Sequence, residues 1–198
     1  LVDETVQHPA IEALFTVDEE TGLTGAFNLG EGMVQGKYLI NLDSEDEGEI
    51  FIGCAGGVDT VATFDNVRTA TPADYVFYRA DVKDLVGGHS GDDINKGRAN
   101  ANKIIARWLY EVEESMAARL SKMDGGNLRN AIPREAYAVF GVSVKDKETM
   151  ESRFAEFAQQ MKSEFQITEP SMSLTLSAEP APADVVDICL QQRLIGAL

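Results

Sequence analysis

The run ADYVFYRADVKDLVGG (residues 73–88) repeats with a period of two. Val76, Tyr78, Ala80 and Val82 fall on one face, and Phe77, Arg79, Asp81 and Lys83 mostly on the other. Successive side chains of a strand point to opposite faces, so this is the pattern of a half-exposed strand. The period then changes. Ile94, Ala101, Ile105, Trp108, Val112 and Met116 recur at spacings of three, four and seven, the stripe of one long amphipathic helix. The stretch EAYAVFGVSV reads as another strand. A second helix follows with Met150, Phe154, Phe157 and Met161 in line, and SMSLTLSAE alternates once more. Strand, helix, strand thus occurs twice without a repeat in the sequence itself. Residues 58–198 are expected to form an α+β domain, an antiparallel sheet with helices on one face.

The first part of the chain is patterned differently. Ala10–Val17, Lys37–Ser44 and Gly48–Gly57 read as short buried strands, two of them ending in acid, with a small turn and helix at TGLTGAFNL. Sites in open α/β sheets form at the carboxyl ends of strands. Residues 1–57 are therefore expected to be an α/β segment. The closing stretch PAPADVVDICLQQRLIGAL reads as a proline-punctuated loop and then a helix.

Composition limits the partners. The chain has 198 residues, 44% of them hydrophobic, and a net charge of −16. Such an excess of acid argues against a nucleic-acid backbone or an anionic membrane surface. No apolar run approaches the ~18 residues of a spanning helix. Cys54 and Cys189 lie far apart and outside any C-x-x-C arrangement, which fits a reducing, cytoplasmic compartment. Cys54 reads as a buried strand residue without chemistry.

The acids at the strand ends are the first chemical candidates. Asp18, Glu19 and Glu20 end one strand and Asp43 another. Carboxylate oxygens bind hard cations, and bind zinc beside histidine. A metallohydrolase also needs a carboxylate that does not ligate but carries a proton from water to the leaving amine. Adjacent glutamates can divide those two roles, because neighbouring side chains point opposite ways; a solvated acidic turn would have the same sequence. DSEDEGEIFIGC (Asp43–Cys54) matches the early positions of a calcium-binding EF-hand loop but has Cys54 where a bidentate glutamate is required. That reading is rejected.

Four segments taken together resemble the aminoacyl-histidine dipeptidases (Xaa-His dipeptidase, peptidase D), of the di-zinc aminoacylase and carboxypeptidase superfamily. They are HPAIEALFTVDEETGLTGA, LINLDSEDEGEIFIGCAGG, GGHSGDDINKGRANANKIIARWL and GGNLRNAIPREA, in the family's order and spanning nearly the whole chain. The resemblance implies that Glu19 is the general base, Glu20 a ligand of one zinc and Asp43 a ligand of the other. It implies that His89, in GGHSG, belongs to a lid and dimerisation domain and stabilises the tetrahedral oxyanion in the partner subunit's active site. It implies that Asn130, in NLRNA, contacts substrate. Without the family, His89 also reads as a loop histidine near a helix start and Asn130 as a turn amide. His8, before Pro9, reads as a plain loop residue. The stripe around Trp108 reads as core or dimer interface, with Arg98, Asn100 and Asn102 on its polar side.

The family's early His-x-Asp motif, bridging aspartate, late histidine and substrate-carboxylate arginine have no counterpart among these residues. The chain is therefore expected to be an internal piece of a dipeptidase with two zinc ions, 1–57 from the catalytic domain and 58–198 from an incomplete lid and dimerisation domain. It is expected to be inactive alone and to pair as a homodimer through the lid. The other readings are a related tripeptidase, an N-acyl-amino-acid amidohydrolase, a non-catalytic dimerisation module and an acidic cation-binding domain.

Overall fold

The computed structural model describes residues 5–43, 47–54 and 56–198. The chain divides into two units, Leu1–Thr60 and Val61–Leu198.

In the first unit the described residues form two single-turn helices, α1 (Glu19–Gly22) and α2 (Thr24–Phe27), and no strand. The strands expected at 10–17, 37–44 and 48–57 are not formed there; Ser44 and Ala55 lie outside the described residues. A buried strand needs neighbours for its amides and carbonyls. Among the described residues the Glu12 carboxylate ties distant segments together by accepting the amides of Gln35 and Gly36 at 2.8 and 3.1 Å. The apolar side chains of the expected strands stay in solvent, Phe15, Leu39 and Ile52 among them. Cys54 is exposed as well, not buried as expected.

The second unit is built on β2 (Tyr75–Lys83), α3 (Ala101–Met116), β4 (Arg119–Gly125), β6 (Ala136–Ser143), α4 (Lys147–Glu164) and β7 (Ser173–Glu179). Its four-stranded sheet has the order β4-β6-β2-β7, and every neighbouring pair is antiparallel. β2 and β4 are therefore parallel with β6 between them, and β6 and β7 are parallel with β2 between them. β2–α3–β4 and β6–α4–β7 are thus two interleaved split βαβ units; the strand β4 that closes the first is not among the strands read from the sequence. Two short pairs complete the unit: β1 (Arg68–Ala70) with β8 (Asp184–Val186), and β3 (Gly88–His89) with β5 (Ala131–Ile132). The final helix, α5 (Ile188–Ala197), packs against α3 and β4.

One sheet face and the helices make the core. Tyr78, Ala80 and Val82 of β2 and Ala138, Phe140 and Val142 of β6 are buried with Trp108, Phe154 and Phe157 from α3 and α4. The Trp108 ring meets Phe154 edge-on at 5.0 Å and Phe140 at 6.1 Å, arrangements favoured by the ring quadrupoles. Ile94 is not part of the expected stripe. It sits in a 3-10 turn (Ile94–Lys96) and is exposed, and α3 starts only at Ala101, where Asn100 caps it by accepting the Lys103 amide.

The opposite sheet face is less exposed than its sequence suggests. Phe77 is 3% exposed because Gly141 lies across from it on β6 and leaves room for the ring. Asp81 is 6% exposed and accepts both Arg79 Nε and Nη2 at 2.9 Å, with Lys83 Nζ at 3.2 Å. Burial alone would raise its pKa; hydrogen bonds from Arg79 and Lys83 outweigh that and hold it below the ordinary value. The Arg79 guanidinium also stacks 3.6 Å from the centre of the Tyr137 ring.

Candidate functional site

His89 ends β3, and the pairing of β3 with β5 sets it opposite Ala131. One residue on, the Ser90 amide donates to the Asn130 carbonyl at 2.8 Å. The two expected lid residues, 41 positions apart in the sequence, are thus neighbours.

The loop that carries His89 is fastened at many points. The His89 amide donates to Asp93 Oδ2 at 2.7 Å, and the Asp93 amide donates back to the His89 carbonyl at 3.0 Å. Asp93 also holds Lys96 Nζ at 2.6 Å and Arg98 Nη1 at 3.1 Å. The hydrogen bond from Lys96 and that from the His89 amide depress its pKa. Arg98 donates to the Gly87 carbonyl at 2.5 Å and Arg134 Nε to the Leu85 carbonyl at 3.0 Å. Gly87 and Gly88 have φ of +68° and +140°, which favour glycine. A Cβ on Gly87 would strike the Arg134 side chain, and one on Gly88 would strike Arg98 and Asp93. These glycines leave room for the protein's own side chains.

The ring of His89 is oriented by its own loop. Its Nδ1 accepts the amides of Gly91 at 3.1 Å and Asp92 at 3.3 Å. A backbone N–H can only donate, so Nδ1 carries a lone pair and the proton of the neutral ring lies on Nε2. The ring is about half exposed, so that Nε2–H can face a ligand. The β3–β5 pair holds His89, and α3 begins only at Ala101. Asn130 is half-buried in a turn. Beside it, Ser90, Asn102, Lys103, Arg107 and Arg129 line an open groove of about 820 Å³. Arg98 also lines it, and Glu164 on the same lining pairs with Arg107 at 2.8 Å, so cations outnumber acids there in a chain of net charge −16. Of the residues expected on the polar side of α3, Arg98 and Asn100 precede the helix, and Asn102 reaches the Gly125 carbonyl at 3.3 Å.

The remaining candidates lie in the first unit. Glu19 and Glu20 form the first turn of α1 and are exposed; Asp43 is exposed, with its amide on Asn41 Oδ1 at 3.0 Å. Among the described residues no group of three His, Cys, Asp or Glu side chains is placed to hold a metal ion. A zinc site normally assembles three or four protein ligands. The residues present do not fit a zinc site by themselves.

Comparison with known proteins agrees with the architecture. Residues 82–169 match the peptidase dimerisation domain family. The cytosol non-specific dipeptidase of Escherichia coli (strain K12) is 41% identical over 178 residues, 90% of this chain and 37% of that protein. The crystal structure of aminoacylhistidine dipeptidase from Vibrio alginolyticus superposes with a TM-score of 0.79 and 42% identity, over 92% of this chain and 37% of that one. The uncharacterized protein YqjE of Bacillus subtilis (strain 168) is 28% identical over 84% of this chain and 40% of its own length. The chain thus spans little more than a third of these relatives. The resemblance read from its four motifs is borne out: by sequence and by fold the chain is similar over about nine-tenths of its length to two dipeptidases, and residues 82–169 match the peptidase dimerisation domain.

Proposed function

We propose that this chain works as part of a di-zinc dipeptidase that hydrolyses Xaa-His dipeptides, with residues 1–57 in the catalytic domain and 58–198 as the lid and dimerisation domain. The observation that carries the reading is the placement of His89 beside Asn130, with an Nε2–H oriented by two backbone amides. A neutral donor held in place before the reaction stabilises the negative charge that develops on a tetrahedral intermediate. In a homodimer joined through this domain, His89 would act on the partner subunit's substrate. Asn130 contacts the same substrate, and the cationic groove next to it suits a carboxylate end. Glu19 is the general base, taking a proton from the attacking water and returning it to the leaving amine. Glu20 and Asp43 are the carboxylates this chain offers to the two zinc ions. The compartment proposed is the cytoplasm, by analogy with the Escherichia coli relative named for the cytosol. Among the described residues, no helix is long and apolar enough to cross a membrane.

A second reading, a dimerisation module without catalysis, is favoured by one fact: the matched family covers only 82–169. Hydrolysis of a histidine-containing dipeptide with zinc added separates part of the question. The 198-residue chain and its Glu19→Ala variant should both be inactive, because the ligand set is incomplete. Turnover by the chain that disappears in the variant would contradict this account of the metal site.

A further inference from the structure

Glu169 is 3% exposed, a buried acid that the proposed reaction does not use. Its Oε2 accepts the Val86 amide at 2.7 Å and its Oε1 accepts the Ala99 amide at 2.9 Å. Val86 and Ala99 are the two ends of the loop that contains His89. We propose that Glu169 is the positioning residue for His89: one carboxylate closes the loop at its base and so fixes where the imidazole sits. This rests on the reading of His89 as an oxyanion donor.

The chemistry suits the task. A carboxylate has two acceptor oxygens and each finds one donor, which is what a buried charge needs in place of water. Glu169 is itself fixed just past α4, because its amide donates to the Phe165 carbonyl at 2.8 Å and its carbonyl accepts the Met172 amide at 3.2 Å. The β3–β5 pair and the Ser90 amide on the Asn130 carbonyl hold the middle of the loop; its side-chain fastenings besides Glu169 come from Asp93, Arg98 and Arg134, which are half-buried or exposed, so water can replace them. Water cannot replace Glu169. Between Val86 and His89 stand only the two glycines with positive φ, the least self-supporting backbone of the loop. Without a fixed base, Gly91 and Asp92 would lose their alignment on Nδ1, and the Nε2–H tautomer would lose its cause.

The test is nuclear magnetic resonance on the 198-residue chain, with no turnover needed. In the unsubstituted chain, couplings across the hydrogen bonds should link the Val86 and Ala99 amide nitrogens to the Glu169 side-chain carbonyl carbon. Glu169→Gln keeps the size but turns one acceptor into a donor. It should speed hydrogen exchange at one of the two amides by about tenfold or more. It should also change the His89 ring nitrogen signals from a single Nε2–H tautomer to an exchanging pair, while exchange at Val112 in α3 stays slow. Glu169→Asp, one methylene short, should give the same signature and serves where the Gln variant does not fold. Absence of the couplings overturns the proposal. So does a folded variant with either amide loosened and the His89 ring unchanged, since Glu169 would then be a structural clamp only. Should His89 prove irrelevant to dipeptide turnover, the reading of His89 fails while these signals stand, so the two failures are distinct.

Discussion

At the scale of single residues, buried polar groups differ in how far they are satisfied: Trp108 Nε1 in the core has no hydrogen-bond partner among the described residues, whereas both ends of the Gln191 side-chain amide are hydrogen-bonded. Gln191 is 1% exposed; its Oε1 accepts the Leu120 amide at 2.7 Å and its Nε2 donates to the Ala118 carbonyl at 2.8 Å, joining α5 to the start of β4. Tyr78 is a titratable case. Burial first, and then the hydrogen bond its hydroxyl donates to Glu151 at 2.7 Å, push its pKa up to about 12. The folded state therefore favours the protonated phenol. Its contribution is present below the unfolded pKa of ~10 and is lost as pH rises from ~10 to ~12. In urea titrations the chain should lose roughly 2–3 kcal/mol over that window by this group. Tyr78→Phe should lack that share of the loss and cost about 1 kcal/mol at neutral pH. An identical alkaline loss in both proteins would contradict the assignment.

At the scale of elements, the sequence was most legible where periodicity was long. β2, α3, β6, α4 and β7 follow the readings of their apolar patterns, because each contributes apolar side chains to the same core. β4 was not visible beforehand: RLSKMDG has little apolar alternation, as suits a polar strand at a sheet edge. The pairs β1–β8 and β3–β5 are too short to leave a period. His89 and Asn130 could be named only through the family, since strand pairing, not sequence spacing, makes them neighbours. Asp93, Arg134 and Glu169 were missed because isolated polar residues carry no period, and each bonds at least one backbone group. The expected strands of residues 1–57 had the right composition but find no sheet partners among the described residues. One element-level prediction concerns Gly141. A Cβ there would lie 2.7 Å from the Phe77 ring, so Gly141→Ala should overpack the β2–β6 pair and cost about 1–3 kcal/mol by urea denaturation. Phe77→Leu in the same chain should recover part of that loss. Simple addition of the two costs would show that the sites do not touch.

At the scale of the whole molecule, the chain combines two kinds of part. Residues 61–198 form a packed α+β unit with the dimerisation-domain match inside it, while the acids proposed for catalysis sit in the other unit. The chain spans 37% of the length of the Escherichia coli relative. The most direct measurement is made in a chimaera that carries this chain in place of the matching 178 residues of the Escherichia coli dipeptidase. Steady-state hydrolysis of a dipeptide by the chimaera would be compared with its His89→Ala variant. The account predicts an active chimaera in which His89→Ala lowers kcat by about a hundredfold or more with KM little changed, the mark of a donor used only in the transition state. A folded, active chimaera whose kcat does not depend on His89 would contradict it.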